Sequence, residues 1–328
     1  MKPVTVYIFY GYYFGATPFT LARFHPEEHT MNATWLARAA RLLTAAAAAA
    51  LLTSCGGESV ISDLKPERFL VMGDNMMDVG QNGYVYTIND GSPTWVQTFA
   101  GHYGLTVEPS NAGGWGFAQG GARISAAGEA PSVTAQVDAA LARTTLGKND
   151  VVLIGGGQSD IVAAVQAHGI SREATAAVRQ AGDELAQQVR RIVQAGATHV
   201  AVVGAPLMGD TPWARAQNQE NAINELSVAF NNALLLGIHD MGETVLYLDA
   251  ALFFDLLYDD ADNHGFSNYR DPICTTPDVT TCTPATLRDE HYDRWLFADG
   301  LHFTPYALRL FGTDDYSESG FSRFDDRW

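Results

Sequence analysis

Four short apolar segments constrain the fold of this chain more than any other feature. Each is a nearly continuous apolar run followed by a glycine or an aspartate, and they are residues 68–72, 150–154, 199–203 and 243–248. Strands with one solvated face alternate apolar and polar residues, whereas continuous β-branched runs are typical of strands buried on both faces. The four segments therefore predict a parallel sheet that is covered on both sides.

Segments with helical periodicity separate these strands and predict helices over residues 133–143, 171–195 and 218–236. In the longest of them, Ser171 is in position to cap the first turn and Gly196 follows the last turn. Strands that alternate with helices of these lengths predict a doubly wound α/β sandwich. Functional groups in such folds gather at the carboxyl ends of the strands, which directs attention to the residues that follow each apolar run.

Two long segments, residues 87–117 and 258–295, show little periodicity and are rich in Gly, Asn, Asp, Pro and aromatic residues. Long loops on a compact α/β domain often form the walls or lids of a site. The alternative for each segment is an excursion that only covers an edge of the sheet.

The composition agrees with one globular α/β domain and excludes several kinds of partner. Of the 328 residues, 47% are hydrophobic, and the net charge is −17 with no run of Lys or Arg. This charge disfavours nucleic acid and anionic membrane surfaces, so we interpret it as a soluble, mutually repelling surface. Because the chain contains no complete EF-hand or phosphate-binding loop, we expect no metal and no cofactor.

The amino-terminal part of the chain predicts export. Residues 31–54 contain a short basic stretch, an apolar run and small residues, in the order of a secretory signal. The apolar run is too short for a comfortable membrane span, which is the alternative. Residues 52–55 resemble the lipobox of bacterial lipoproteins, and this resemblance implies that Cys55 is lipidated and becomes the first residue of the mature protein. The expected location is the bacterial cell envelope, as an outer-membrane or periplasmic lipoprotein, or otherwise the medium.

The domain organisation follows from these assignments. Residues 1–30 precede a complete signal and are interpreted as a spurious extension from a mis-chosen start codon, with a genuine anchor as the alternative. Residues 55–65 form a linker, and residues 66–328 form the folded domain. Contact with a membrane is therefore expected only through the lipid on Cys55.

Two cysteines remain in the folded domain and bracket a loop rich in Thr, Pro and Asp. In an oxidising compartment, Cys274 and Cys282 are expected to form a disulfide that pins this loop at the surface. Two free thiols are the alternative.

Four motifs follow one another along the domain and indicate a known family. They are Gly73-Asp74-Asn75-Met76 with Asp78 and Gly80, Phe117 to Ala122, Gly157-Gln158-Ser159-Asp160, and Asp299-Gly300-Leu301-His302. In order and spacing they resemble the conserved blocks of the SGNH/GDSL hydrolases, which are lipases and esterases. The resemblance covers most of residues 66–312 and implies a flavodoxin-like three-layer α/β/α fold with a mostly parallel sheet. Thr304 and Pro305 are expected to begin a helix directly after the last motif.

The resemblance also implies a role for each site residue. His302 would be the general base and Asp299 its partner, while Asn75 occupies the position of the nucleophile. The developing oxyanion would be bound by the backbone N–H groups of Gly121 and Asn75 and by the side chain at Ser159, where the family has asparagine.

The chain departs from the family pattern at both side chains that contact the reacting carbonyl. Asn75 stands in place of serine, and it has no hydroxyl proton for a histidine to remove. An exchange of roles is one hypothesis, in which Ser159 attacks and Asn75 donates to the oxyanion. Because His302 is expected to face position 75, we predict that its Nε2 atom lies nearer Asn75 than Ser159.

Three functions remain open at this point. The first is an exported ester hydrolase acting on an ester-containing small molecule, lipid or glycan. The second is a catalytically inactive relative that binds an ester, acyl or glycan ligand in the retained cleft, and the third is a surface protein that uses only the fold. Ancestry favours the first function, and the residue at position 75 favours the second.

Overall fold

The computed structural model of the chain describes residues 64–313 and 315–328. The predicted extension (1–30), the signal peptide (31–54), the lipidated Cys55 and nearly all of the linker (55–65) lie outside the described residues. The assignments made for these segments therefore stay predictions.

A parallel sheet forms the centre of the domain, as the four apolar runs predict. Its strands are β1 (Arg68–Met72), β2 (Asp150–Gly155), β3 (His199–Val203) and β4 (Val245–Leu248), adjacent in that order. The fourth strand begins two residues later than predicted, because the N–H of Thr244 closes a turn on the carbonyl of Met241.

Residues 115–118 lie beside β1 at the outer edge of the sheet, although the sequence predicts a loop there. The N–H of Val71 donates to the carbonyl of Trp115 at 3.0 Å, and the N–H of Phe117 donates to the carbonyl of Val71 at 2.7 Å. The bridge between Val71 and Gly116 is parallel. When this segment is counted as the second strand along the chain, the order is 2-1-3-4-5, which is that of flavodoxin-like folds.

The helices that surround the sheet confirm the predicted pattern, and among the described residues five further helices join it. The helices are α1 (Trp95–His102), α2 (Val133–Arg143), α3 (Gln158–His168), α4 (Arg172–Gln194), α5 (Pro212–Ala216), α6 (Glu220–Ile238), α7 (Ala250–Asp259), α8 (Pro305–Phe311) and α9 (Gly320–Asp325). The sequence pattern does not predict α1, α3, α5, α7 and α9. Within the described ranges, no helix is both long and apolar enough to cross a membrane.

Local chemistry at the helix ends explains where they begin. The Ser171 hydroxyl accepts a hydrogen bond from the N–H of Ala174, as predicted for the cap of α4. Thr304 caps α8 and Pro305 is its first residue, which is also as predicted. The helix predicted from residue 218 begins instead at Glu220, because Asn218 has a left-handed backbone with φ of 53°.

Alternate residues of each strand face two separate hydrophobic clusters. Leu70 and Met72 pack with α2, α3, α4 and α6, whereas Phe69 and Val71 pack with α1, α7, α8 and α9. Both faces of the sheet are therefore buried under helices, which explains why the strands are continuously apolar. The three-layer α/β/α fold is confirmed.

The two long segments pack against each other rather than lying as separate loops. The later one contains a small parallel sheet of β5 (Asn268–Pro272) and β6 (Trp295–Phe297), and a disulfide joins Cys274 to Cys282 with 5.9 Å between their Cα atoms. Ile88 of the earlier segment packs with the two cysteines and with Ala298. Because Ala298 directly precedes Asp299, the two segments support the loop that carries the predicted base.

The disulfide is expected to stabilise the fold through the loop that it closes. Replacing both cysteines with alanine should lower the free energy of unfolding by about 2–3 kcal/mol, since the unfolded chain regains the freedom of a short loop. Urea denaturation of the oxidised protein, the reduced protein and the Cys274→Ala/Cys282→Ala variant measures this. The reduced protein is the matched control, and equal stability of all three samples would contradict the prediction.

Candidate active site

Strand β1 ends in a tight turn that carries Asn75. The N–H of Gly73 donates to Oε1 of Gln136 at 2.8 Å, and Nε2 of the same side chain donates to the carbonyl of Gly73 at 3.1 Å. Gln136 lies on α2 and is buried. A side chain at position 73 is excluded, because its Cβ would lie 2.6 Å from the carbonyl oxygen of Gly155. The position of Asn75 is therefore set by a neighbouring helix and strand.

Asp299 and His302 form the buried pair that the sequence predicts. The His302 Nδ1 atom lies 2.9 Å and 3.0 Å from the two carboxylate oxygens of Asp299. One of these oxygens also accepts the backbone N–H groups of Leu301 and His302, each at 2.8 Å. Because Nδ1 faces only a carboxylate, it carries a proton, and the opposite nitrogen of the neutral ring has a free lone pair.

The charge on Asp299 is held by this arrangement. Burial raises the pKa of the Asp299 carboxyl, but the attraction of the His302 ring and the hydrogen bonds from His302 and Leu301 outweigh it, so the pKa lies below its ordinary value. An ionised carboxylate at this position stabilises a positive charge on the imidazole.

The Nε2 atom of His302 is buried and has no hydrogen-bond partner among the described residues. The ring of Tyr86 lies beside it, with 5.5 Å between ring centroids. The exchange of roles requires a hydrogen bond from the Ser159 hydroxyl to this nitrogen, and the structure does not contain one between these two residues. The nitrogen is thus placed to take a proton from a group that enters the site.

The side chain of Asn75 makes the contact that most changes the chemistry of the site. Its Oδ1 atom accepts a hydrogen bond from the N–H of Gly121 at 2.6 Å. The resemblance assigns this N–H to the oxyanion. If that predicted role holds, the carboxamide oxygen takes the position in which an ester hydrolase binds the carbonyl oxygen of its substrate.

Asp78 joins the first motif to the second. Its carboxylate accepts the N–H groups of Gly80 and Gln81 on one oxygen and that of Gly120, at 2.9 Å, on the other. Gly120 also packs closely under the ring of Tyr86, where a Cβ would lie 1.8 Å from the nearest ring atom. The glycine is therefore required for Tyr86 to reach the imidazole.

Two further buried carboxylates join the third motif to the others. Asp74 accepts the N–H of Ser159 at 3.4 Å, and Asp160 accepts the N–H of Ile124 at 3.0 Å and forms an ion pair with Arg123. Burial raises the pKa of both carboxyl groups to about 6, although these hydrogen bonds act in the opposite direction.

Three residues of the site are not assigned from the sequence. Gln158 donates from Nε2 to the carbonyl of Leu301 at 2.7 Å and so ties the start of α3 to the loop of the base. Gln136 bonds to the first motif, and Tyr86 packs on the second. The sequence offers a signal only for Gln136, which is a polar residue on the apolar face of a predicted helix.

All four motifs thus meet at the carboxyl ends of β1 and β2, while the roles of their residues stay predictions. Within residues 64–313 and 315–328, no group of three or more His, Cys, Asp or Glu side chains is arranged to hold a metal ion. A groove of about 960 Å³ lies elsewhere, between α4, α6 and β4, and none of the predicted site residues lines it.

A buried Asp–His pair on an α/β fold is an arrangement that hydrolases use to activate a nucleophile. Residues 69–313 match the model of the family described as GDSL-like Lipase/Acylhydrolase, and the chain belongs to this family.

Individual relatives are distant. The anther-specific proline-rich protein APG of Brassica napus is 26% identical over 140 residues, an alignment that covers 39% of this chain and 31% of that protein. The chain thus matches about a third of the length of this curated relative.

Two solved structures are similar over 74% of this chain. A member of the lipolytic protein G-D-S-L family from Veillonella parvula has a TM-score of 0.42 with 11% identity and 92% of its own chain covered. Est24, a carbohydrate acetylesterase from Sinorhizobium meliloti, has a TM-score of 0.39 with 13% identity and 94% covered.

The raised pKa of Asp74 predicts how pH affects stability. Between about pH 4 and about pH 6 the folded protein holds a proton on Asp74 that the unfolded chain has lost, so this group's contribution to stability falls as the pH rises. The Asp74→Asn variant stays neutral and still accepts a hydrogen bond. Its stability relative to the wild type should therefore increase from about pH 4 to about pH 7, by up to about 2 kcal/mol.

Urea denaturation at the two pH values measures this difference. Asp183→Asn, at an exposed carboxylate on α4, is the matched control and should show no such trend. A relative stability of Asp74→Asn that is constant or falls with pH would contradict the burial of a carboxyl group at this position.

Proposed function

We propose that this chain is a carboxylic ester hydrolase in which His302 and Asp299 activate the attacking group. The observation that carries the proposal is the hydrogen-bonded pair itself, with Nδ1 of His302 held by a carboxylate and Nε2 buried and unpartnered. Membership in the GDSL-like lipase and acylhydrolase family supports an ester as the substrate. The proposed substrates are ester-containing small molecules, lipids or glycans.

Because position 75 carries no hydroxyl group, water is the proposed nucleophile. Nε2 of His302 takes a proton from the water as its oxygen attacks the carbonyl carbon, and Asp299 stabilises the imidazolium that forms. The N–H of Gly121 and the backbone N–H of Asn75 bind the oxyanion, with the Ser159 hydroxyl as a further donor. The departing alkoxide then receives the proton from His302.

This reaction is expected to be slow. Loss of a triad serine lowers kcat by a factor on the order of 10⁶. The remaining groups still accelerate the reaction by roughly 10³–10⁴ relative to the uncatalysed reaction in water. The substrate carbonyl must also displace the carboxamide of Asn75 from the N–H of Gly121.

The same contact favours a second candidate function, which is binding without turnover. A carboxamide that stays on the N–H of Gly121 keeps the carbonyl of a ligand away from the oxyanion position. The protein would then bind an ester, acyl or glycan ligand in the retained cleft and release it unchanged.

Turnover of p-nitrophenyl acetate and butyrate by the purified protein separates the two candidates. The hydrolase predicts turnover above buffer that His302→Ala abolishes and that Asn75→Ser raises by about 100-fold or more. His168→Ala, at an exposed histidine on α3, is the matched control and should leave turnover unchanged. Turnover that survives His302→Ala would contradict the proposed base, and ligand binding with no turnover would establish the second function.

The hydroxyl of Ser159 is tested in the same assay. Ser159→Ala should lower turnover only modestly, since the proposal gives it one hydrogen bond to the oxyanion. A loss as large as that of His302→Ala would instead support attack by Ser159.

We also propose that the protein is exported and anchored to the bacterial cell envelope through a lipid on Cys55. The signal-like sequence of residues 31–54 supports this, and a disulfide between Cys274 and Cys282 agrees with an oxidising compartment. Cells fed radiolabelled palmitate should label the wild type but not Cys55→Ser. A mature protein that keeps residues 31–54, or that is never labelled, would contradict the anchor.

A further inference from the structure

We infer that Asn75 is a site of self-modification, at which His302 and a water molecule hydrolyse the side-chain carboxamide to a carboxylate. The carboxamide oxygen already occupies the oxyanion position, 2.6 Å from the nitrogen of Gly121. The inference shares its base with the proposed hydrolase but goes beyond it, because the substrate is part of the protein and no ester is needed.

Two chains of contacts across the site link the base to the carboxamide. The His302 ring lies 5.5 Å from the ring of Tyr86, which packs directly on Gly120. The next residue, Gly121, donates to Asn75. On a second path, Gln158 bonds to Leu301, and the neighbouring Ser159 donates its N–H to Asp74, which precedes Asn75.

The backbone that holds the carboxamide borders solvent. Gly121 is exposed, and a Cβ atom placed on it would meet no heavy atom within 4 Å. Asn75 itself is 8% exposed, so a small part of its surface contacts solvent. The unpartnered Nε2 of His302 supplies the lone pair that such a water needs.

The hydrogen bond from Gly121 favours attack on the side chain. It draws electron density from the carbonyl carbon of Asn75, and it strengthens as negative charge develops on Oδ1. Because the amide is held in the site permanently, the reaction also gains the advantage of a fixed intramolecular geometry. These two effects compensate in part for the low reactivity of an amide relative to an ester.

The step balances without any oxidant or further co-reactant. Nε2 of His302 takes one proton from water, the water oxygen bonds to Cγ of Asn75, and the carbonyl electron pair moves to Oδ1 near Gly121. When that pair returns, the Cγ–Nδ2 bond breaks and the nitrogen receives the proton from His302. The products are ammonia and the carboxylic acid of an aspartate at position 75, whose remaining proton passes to the ammonia and leaves a carboxylate and ammonium.

The chain contains its own control for ordinary deamidation. Asparagine commonly loses ammonia when the backbone nitrogen of the next residue attacks the side chain, which gives a mixture of aspartate and isoaspartate. Asn82 is exposed and precedes Gly83, so it is suited to that route. Both routes take one oxygen atom from the solvent, and direct hydrolysis by water at Asn75 differs in that it gives aspartate alone.

The test follows both residues in the purified full-length protein, incubated at neutral pH in ¹⁸O-labelled water. Fragment-ion mass spectrometry of the peptide between Arg68 and Arg123 reports each site separately. We expect position 75 to convert to aspartate with one labelled oxygen and no isoaspartate. His302→Ala and the milder Asp299→Asn should slow this conversion by about 100-fold, with Asn82 unaffected in all three proteins.

Three results would overturn the inference. They are an intact Asn75 in wild-type protein whose Asn82 has converted, a rate at position 75 that neither variant changes, and a product that contains isoaspartate. Conversion of Asn75 and ester turnover are measured separately, so the two proposals can fail independently. Ester turnover with an intact Asn75 removes only this inference, whereas conversion without ester turnover leaves it standing and removes the proposed hydrolase.

Discussion

The Asp299 carboxylate organises the site through the hydrogen bonds that it accepts. It binds the backbone N–H groups of Leu301 and His302 and the ring of His302 at once, so one buried group closes the turn and sets the tautomer of the proposed base. The turn is held from outside as well, since the N–H of Ala298 donates to the carbonyl of His302 at 2.7 Å and Gln158 donates to Leu301. A general base of this kind depends on a rigid environment more than on any single contact.

The residue at position 75 changes the chemistry of the pocket without removing its geometry. In a serine hydrolase the nucleophile and the oxyanion site are separate groups, whereas here the side chain at the predicted nucleophile position bonds to the predicted oxyanion donor, Gly121. Three buried carboxylates, Asp74, Asp78 and Asp160, still tie the first, second and third motifs together through backbone N–H groups. Burial raises the pKa of these carboxyl groups, so their ionisation at neutral pH lowers the stability of the fold. Groups of this kind often occur at functional sites.

The sheet and its long helices could be predicted because burial on two faces requires continuous apolar strands and because capping residues mark helix ends. The structure of residues 258–295 could not be predicted from the sequence. Their small sheet depends on a disulfide and on packing against Ile88, which is distant in sequence. Helix α7 was missed because it is apolar on most sides and shows little periodicity. In the site, motif spacing predicts which residues meet, but not the contact of Asn75 with Gly121 or the positions of Tyr86 and Gln136, which depend on tertiary packing.

We propose that Asp299 and His302 form a working base aimed at position 75. The most direct measurement is covalent labelling of the Asn75→Ser variant by a p-nitrophenyl alkylphosphonate, read by mass spectrometry of the labelled peptide. We expect one label per chain at position 75, and none when His302→Ala is added. A variant that stays unlabelled, or that is labelled at Ser159 instead, would contradict it.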